Sequence, residues 1–324
     1  MILKNSDSLS PSQKTLDKLL ERFQDGAYGD TQKLALSIIK DFPKHPYAWK
    51  VLGAVLGKTG RKLEALNAHK QAVVLSPQDA TAQNNLGISF KELGRLEESK
   101  ACNIKAIALK PDFADAHFNL GNTYKALDRL EDAVSSFKQA IALKSNFAKA
   151  HFNLGNTLKK LSRLEEAESS MKAAIAHQSD YTDAFNNLGV ILQELDKLDE
   201  AKASFMQAVL LQPEYAEAHF NLGNIFKELG RLDEAESSYM QVIAMKPELP
   251  DAHSNLGDLL LELGRLDEAE VFCMQAIALK PDFAEAHSNL GLVLLKKGHH
   301  REGLNEQIIG DGIITFNLKN GFSI

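Results

Sequence analysis

Five histidines recur with a 34-residue period or a multiple of it, and histidine is a common ligand of transition metals. They are His117, His151, His219, His253 and His287. Two ligands of one zinc ion lie within about 4 Å of each other, whereas packed helices of successive repeats are about 8–10 Å or more apart. Histidines one repeat apart therefore cannot share an ion. We expect no metal site, and an aromatic packing role between helices like that of Trp49, which has the same place in an earlier repeat.

The tripeptide Gly57-Lys58-Thr59 has the composition of the end of a phosphate-binding loop. Such a loop also needs a glycine five residues before the glycine that precedes the lysine, and this position is Leu52. The tripeptide falls at the end of a predicted helix, where the helix dipole repels phosphate. We therefore predict no nucleotide site and no cofactor.

Paired acidic residues also recur with the 34-residue period, and a pair of carboxylates is a common catalytic arrangement in acid–base enzymes. Five of these pairs end in glutamate: Glu97-Glu98, Glu165-Glu166, Asp199-Glu200, Asp233-Glu234 and Asp267-Glu268. A catalytic dyad would not need five copies, whereas the dipole favours acidic residues in the first turn of every helix. Cys273 takes the place that Phe137 has in another repeat, which indicates a small core residue, and Cys102 has no partner. We predict no catalytic residues and no enzymatic activity.

The composition is that of an ordinary folded protein, with 44% apolar and 25% charged residues among 324. The net charge of −6 disfavours nucleic acid as a partner, because domains that coat nucleic acid are normally basic. No apolar run approaches the roughly 18–20 residues that span a bilayer, so no membrane insertion is expected. The N-terminus becomes polar after Leu3 and lacks the apolar core of a secretory signal, which predicts a cytoplasmic location.

The elements that must position any site are repeated 34-residue units. Leu-Gly pairs begin at residues 52, 86, 120, 154, 188, 222, 256 and 290 without an insertion. Within residues 114–127, apolar side chains follow a helical spacing, and a second apolar stripe runs from Leu130 to Leu143. Each unit is therefore predicted to be a pair of helices that buries its apolar faces only by stacking on its neighbours.

The order W-x2-L-G-x2-Y, then A-x3-F, then P, within a 34-residue unit, is the signature of the tetratricopeptide repeat. Residues 46–79 have Trp49, Leu52, Gly53, Ala65 and Pro77 at these places. The chain thus resembles the tetratricopeptide repeat (TPR) family over nearly its full length. The resemblance implies an all-α fold, a right-handed superhelical solenoid of helix–turn–helix repeats, in which the first helix of each unit lines a concave groove.

The repeat divides the chain into five predicted regions. An N-terminal tail (1–11) precedes a degenerate capping repeat (12–45), and a partial repeat (284–309) precedes a tail or short hairpin (310–324), which could also be the first strand of a further domain. Atypical terminal repeats are expected because they present one face to water. Between them lie seven full repeats, at 46–79, 80–113, 114–147, 148–181, 182–215, 216–249 and 250–283.

One column of asparagines is the strongest functional signal. Asparagine is an indifferent helix former, so its recurrence in the middle of a helix needs an explanation. A primary amide has two N–H donors and an acceptor, and can pair with both polar groups of a peptide backbone. The column is similar to the asparagine ladder in the superhelix of O-linked N-acetylglucosamine transferases, a likeness that implies capture of an extended peptide. Its members are Asn85, Asn119, Asn153, Asn187, Asn221, Asn255 and Asn289.

Two alternatives to peptide capture stay open for the column: inheritance from a duplicated ancestral unit, and structural hydrogen bonds that bridge adjacent first helices. Against duplication alone, a neighbouring place on the same helix face has diverged. That place holds Ile88, Asn122, Asn156, Val190, Asn224, Asp258 and Leu292, and its three asparagines join the predicted groove.

Four lysines, Lys91, Lys125, Lys159 and Lys227, share a further place on the first helices. They either form a solvated face or recognise acidic residues in a ligand. The functional hypothesis is a non-catalytic scaffold that binds a protein or an extended peptide in the groove, an acidic one if the lysines recognise it. The alternative is a TPR arm that recruits substrates for an enzyme, such as a protein glycosyltransferase, whose catalytic domain is not in this sequence.

Overall fold

A computed structural model describes residues 10–311 and the short segments 316–317 and 321–322. The predicted N-terminal tail (1–11) therefore lies almost wholly outside the described residues, and the predicted C-terminal segment (310–324) lies partly outside them. The chain divides into two compact units, residues 1–177 and 178–324, which are described one at a time.

The first unit consists of five helical hairpins. In chain order its helices are α1 Gln13–Gln24, α2 Tyr28–Asp41, α3 Pro46–Lys58, α4 Lys62–Leu75, α5 Ala80–Glu92, α6 Leu96–Leu109, α7 Ala114–Ala126, α8 Leu130–Leu143, α9 Ala148–Lys160 and α10 Leu164–His177. Each odd-numbered helix packs against the even-numbered helix that follows it, and each even-numbered helix up to α8 packs against the next hairpin. The predicted architecture of consecutive helix–turn–helix units is confirmed.

Residues 178–311 of the second unit repeat this arrangement with four hairpins. Its helices are α11 Thr182–Glu194, α12 Leu198–Leu211, α13 Ala216–Glu228, α14 Leu232–Met245, α15 Pro250–Glu262, α16 Leu266–Leu279, α17 Ala284–Lys296 and α18 His300–Asp311. Two antiparallel strands follow, β1 Phe316–Asn317 and β2 Gly321–Phe322, with Phe316 opposite Phe322.

Glycines inside the first helices allow the two helices of a hairpin to approach closely. A Cβ added at Gly121 would lie 2.6 Å from the Phe137 ring, and one at Gly223 would lie 2.5 Å from the Tyr239 ring. Phe137 is fully buried and Tyr239 nearly so. The Leu-Gly pairs of the sequence thus mark the contact between the two helices of each hairpin.

The first helices of successive hairpins also contact each other. In the first unit α3 packs against α5, α5 against α7 and α7 against α9, and in the second unit α11 packs against α13 and α15 against α17. We call the surface that these odd-numbered helices form within each unit the first-helix face.

The last hairpin is more complete than the sequence indicates. The repeat pattern decays at residues 299–301, which predicts only a partial repeat over 284–309, yet α18 begins at His300 and packs against α17. Gly303 and Gln307 replace the usual alanine and aromatic residue of the second helix. Gly303 lets the backbones meet, and the Gln307 amide donates to the Ser288 carbonyl at 2.6 Å, which holds the helix without the family's apolar pattern.

Candidate functional site

A cleft of about 680 Å³ opens on the first-helix face of the first unit. Its polar lining includes two members of the asparagine column, Asn85 on α5 and Asn119 on α7, both half-buried. Phe113, Phe118 and Phe147 supply aromatic walls. The cleft therefore combines apolar surface with a small number of amides, a lining typical of ligand-binding surfaces.

Some column amides bridge neighbouring first helices, which is one of the two alternatives that the sequence leaves open. The Asn119 Nδ2 donates to the Asn84 Oδ1 at 2.9 Å, and the Asn221 Nδ2 donates to the Asn186 Oδ1 at 3.0 Å. Asn84 and Asn186 are not predicted groove residues, since they stand one residue before the column. The signal that could have found them is the Asn-Asn dipeptide at 84–85 and 186–187, where the following repeats have Phe-Asn or Ser-Asn. Each bridge uses one of the two N–H donors of the column amide.

Other members of the column differ in their surroundings. Asn289 is buried and donates to the Ser254 hydroxyl at 3.4 Å, while Asn255 donates to the Asn224 Oδ1 at 3.1 Å. Asn187 accepts from Asn186 at 3.5 Å and has further contacts. Asn85 is half-buried, and its side chain forms no hydrogen bond within residues 10–311. The seven residues thus share a place but not a role.

The lysine column brings positive charges together in the first unit. The Lys125 Nζ donates to the Asn153 Oδ1 at 3.1 Å and is half-buried. Burial, followed by the charges of Lys160 and Lys91, lowers the pKa of Lys125 below its usual 10.5. The ammonium groups of Lys91, Lys125 and Lys160, the last of which follows the column member Lys159, make no ion pair in the part of the chain that the structure describes. We call them the lysine group.

The other predicted groove residues also differ in their surroundings between the first and the second unit. Lys227 forms an ion pair with Asp258, and Asn224 accepts from both the Tyr239 hydroxyl, at 2.8 Å, and Asn255. The second unit therefore satisfies Lys227 and Asn224 internally. On the first-helix face of the first unit, the half-buried members are Asn122, Asn156 and Lys159.

The recurring histidines form hydrogen bonds to the chain six residues before them. Each Nε2–H donates to a carbonyl oxygen: His117 to Pro111, His151 to Ser145, His219 to Pro213, His253 to Pro247 and His287 to Pro281, at 2.8–3.1 Å. The Trp49 indole and the Gln83 amide donate to Pro43 and Pro77 in the same way. The common requirement at this place is an N–H donor that ties the loop between hairpins to the next first helix.

The other sequence motifs have structural surroundings. The helix α3 ends at Lys58, inside the Gly57-Lys58-Thr59 tripeptide. Acidic residues of the repeated pairs form exposed ion pairs with an arginine three residues earlier, such as Arg95 with Glu98 and Arg231 with Glu234. Burial raises the pKa of the Cys273 thiol to about 12, which keeps it protonated. Within the described residues, no group of His, Cys, Asp and Glu is arranged to hold a metal ion, and no helix is long and apolar enough to cross a membrane.

Family models of the tetratricopeptide repeat match five segments of the chain. The segments are 87–128, 121–162, 148–180, 180–248 and 228–291. Together they extend over most of the hairpins described above. A comparison with curated proteins finds no match.

Solved structures of TPR proteins share the fold. The chain is similar to YrrB, described as a TPR protein with an unusual peptide-binding site, at 27% identity and a TM-score of 0.52 over 60% of this chain and 97% of YrrB. It is also similar to the Cut9–Hcn1 tetramer of the APC/C, at 19% identity and a TM-score of 0.58 over 90% of this chain and 57% of that chain. The pilF protein of Pseudomonas aeruginosa matches at 22% identity and a TM-score of 0.56, over 65% of this chain and 96% of pilF. With its 34-residue helical hairpins and the family matches along them, the chain belongs to the tetratricopeptide repeat family.

Proposed function

We propose that this TPR protein is a non-catalytic scaffold that binds an extended acidic peptide, or an acidic segment of a partner protein, along the first-helix face of the first unit. TPR folds serve protein interaction, and the similar protein YrrB is described as having a peptide-binding site. The observation that carries the proposal is the lysine group. A partly buried ammonium beside two like charges is destabilised, and a ligand carboxylate placed there would remove that repulsion.

The asparagines supply the backbone contacts in this proposal. Asn85 has both donors and its acceptor available within residues 10–311, and Asn119 has one N–H donor beyond its bond to Asn84. Both line the same cleft. Main-chain hydrogen bonds fix the position of a peptide without reading its sequence, and the lysines then select acidic side chains.

The column has a different role in each unit under this proposal. Asn221, Asn255 and Asn289 all bond to neighbouring first helices, which favours a structural role in the second unit, whereas in the first unit Asn119 makes such a bond and the Asn85 side chain makes none. We therefore place the ligand on the first unit. The hypothesis of a substrate-recruiting arm for an enzyme uses the same groove, and the cytoplasmic location stays a prediction from the sequence.

The test begins with peptides selected on the intact chain from a random-peptide display library. The affinity of a selected peptide is then measured for Asn85→Ala, which removes no internal hydrogen bond. We expect a loss of about 2- to 10-fold, the equivalent of one net hydrogen bond, with an unchanged melting temperature. Equal affinity would remove Asn85 from the site, and failure to select any peptide would reject the proposed function.

A matched pair of variants tests whether the lysine group recognises acidic side chains of the peptide. Lys125→Glu is expected to weaken binding by about tenfold or more at low salt, and by less at high salt. Lys105→Glu makes the same charge change on an exposed position of α6, a second helix, and is expected to alter affinity little. Equal losses for the two variants would show that only the net charge matters and would refute recognition by the lysine group.

A further inference from the structure

A second, smaller cavity of about 270 Å³ lies on the first-helix face of the first unit, beside Asn85. Its walls and floor are formed chiefly by Phe23, Ala54, Gly57, His69, Ile88 and Ser89. Lys58 and Glu92 also line it. The cavity belongs to the face proposed above for a peptide, but none of the groove columns predicts it.

The cavity exists because α3 has unusually small residues at two places of the repeat. The place of Ala54 holds Ile88, Asn122, Asn156, Val190, Asn224, Asp258 and Leu292 in later repeats. The place of Gly57 holds Phe23 in the preceding hairpin and then Lys91, Lys125, Lys159, Gln193, Lys227, Leu261 and Leu295. The helix α3 thus has, at both places, a smaller side chain than any other hairpin of the series.

Packing does not explain Gly57. A Cβ added at Gly53, one turn earlier, would lie 2.4 Å from the His69 ring, so that glycine is required by the second helix. A Cβ added at Gly57 would meet nothing within 4 Å, and the residue is helical, in the last turn of α3 and one residue before its end. Glycine in a helix interior is destabilising relative to alanine. Its effect in the molecule is to leave open space.

The cavity has both apolar and polar walls, and its charged lining residues are Lys58 and Glu92. Burial lowers the pKa of His69 to about 4, so the imidazole is neutral at neutral pH, and its Nδ1 lies 2.7 Å from the Ser89 hydroxyl. Phe23 and Ile88 give apolar walls. A side chain bound in the cavity would therefore contact apolar carbon of Phe23 and Ile88 and the neutral imidazole of His69.

We propose that this cavity is a specificity pocket for one aromatic side chain, phenylalanine or tyrosine, of a peptide that lies along the first-helix face; this rests on the proposed function. A benzyl group suits the volume of the cavity and its apolar walls, Phe23 and Ile88. The Phe23 ring provides an aromatic neighbour, for which ring–ring contacts are favourable, and the Lys58 ammonium at the cavity can approach the face of a bound ring.

The test titrates the intact, isotope-labelled chain with N-acetyl-L-phenylalaninamide, N-acetyl-L-leucinamide and N-acetyl-L-alaninamide, followed by NMR. We expect saturable shifts at the amides of Ala54, Gly57 and Ile88, with the aromatic probe binding at least fivefold more tightly than the others. The equivalent positions Asn122 and Lys125 of a later repeat should not shift. Tighter binding of the leucine probe, equal binding of all three, or no saturation would overturn the proposal.

Two variants of one residue separate filling of the cavity from any effect on the helix. Gly57→Lys introduces the residue that several later repeats have at this place and should abolish saturable binding of the aromatic probe. Gly57→Ala improves the helix but leaves the cavity open, so binding should be retained. Unchanged binding in Gly57→Lys would reject the pocket.

The outcome also distinguishes this pocket from the proposed function. Selected peptides that depend on Asn85 but bind Gly57→Lys as well as the original chain would keep the peptide-binding function and reject the aromatic pocket. Saturable aromatic binding at Ala54, with no peptide selected at all, would keep the pocket and reject the function.

Discussion

The Nδ1 atom of His287 on α17 lies 2.6 Å from the Glu306 carboxylate on α18, while its Nε2 lies 3.0 Å from the Pro281 carbonyl oxygen. Both ring nitrogens face acceptors, which favours the doubly protonated, positive imidazole. Burial alone would lower the pKa of His287, but the hydrogen bonds to Glu306 and Pro281 and the charge of Glu306 raise it above its ordinary 6.5. The last hairpin is thus joined by a titratable ion pair.

The stability of the last hairpin is therefore expected to depend on pH. Because the pKa of His287 is higher in the folded chain, the stabilisation is complete below about pH 6.5 and is lost as the pH rises through the folded-state value. Hydrogen exchange of the α17 and α18 amides, corrected for intrinsic rates, should show less protection at pH 8 than at pH 6. Glu306→Gln should remove this dependence, and Glu302→Gln, an exposed charge on the same helix, should retain it. Identical profiles for all three proteins would contradict the assignment.

A series of glycine-to-alanine changes should separate close packing from helix propensity. Gly121→Ala places a Cβ 2.6 Å from the rigid Phe137 ring and should destabilise by about 1–3 kcal/mol. Gly155→Ala meets the flexible end of Met171 at 3.0 Å and should cost less, while Gly57→Ala meets nothing and should stabilise by up to about 1 kcal/mol. The measurement is the denaturant midpoint of each variant. Equal effects for Gly121→Ala and Gly57→Ala would refute a packing requirement at Gly121.

The hairpins are predictable from the sequence because their determinants are local and periodic. A Leu-Gly pair, an apolar stripe and a turn residue recur in each full 34-residue unit, and each has one structural consequence. The final helix α18 does not follow from this pattern, because Gly303 and Gln307 hold it by close backbone contact and a side-chain hydrogen bond. Such contacts depend on a partner helix and leave no periodic apolar pattern.

The candidate functional site is harder to predict from the sequence than the helical hairpins are. The asparagine column is visible by its recurrence, but whether an amide contacts a neighbouring helix depends on the residue one repeat away, as Asn119 depends on Asn84. The sequence predicts packing for the histidine column and gives no sign of its hydrogen bonds to carbonyls six residues earlier. The cavity beside Asn85 arises from small residues at Ala54 and Gly57, which carry no chemical groups that would mark a site.

Replacing a residue with a side chain by glycine in the turn of a hairpin should stabilise the chain. Among the described residues, six hairpin turns have glycine with φ between 70° and 86°, as at Gly60 and Gly94, but Asp128, Ser162 and Asp196 adopt φ of 56–59° with a side chain. Left-handed backbone costs a residue with a Cβ about 1–2 kcal/mol, less for aspartate. We expect Ser162→Gly to raise the free energy of unfolding by about 1 kcal/mol and Gly94→Ala to lower it by a similar amount, both read from denaturant midpoints. A fall in stability for Ser162→Gly would show that its turn is not strained.

The repeat position of the recurring histidines can be tested by mutation, because other repeats have a different hydrogen-bond donor at the same position. The His219 Nε2 donates to the Pro213 carbonyl at 3.0 Å, and at the equivalent place the Gln83 amide donates to Pro77 at 3.3 Å. His219→Gln should therefore retain the hydrogen bond, whereas His219→Phe keeps a ring but loses the donor. The expected cost of the phenylalanine variant is about 0.5–1 kcal/mol, at the low end of the range because Pro213 is exposed. Hydrogen exchange of the first turns of α13 should show the loss locally. Greater protection in His219→Phe than in His219→Gln would mean that packing of the ring, rather than the hydrogen bond to the preceding loop, accounts for histidine at this place.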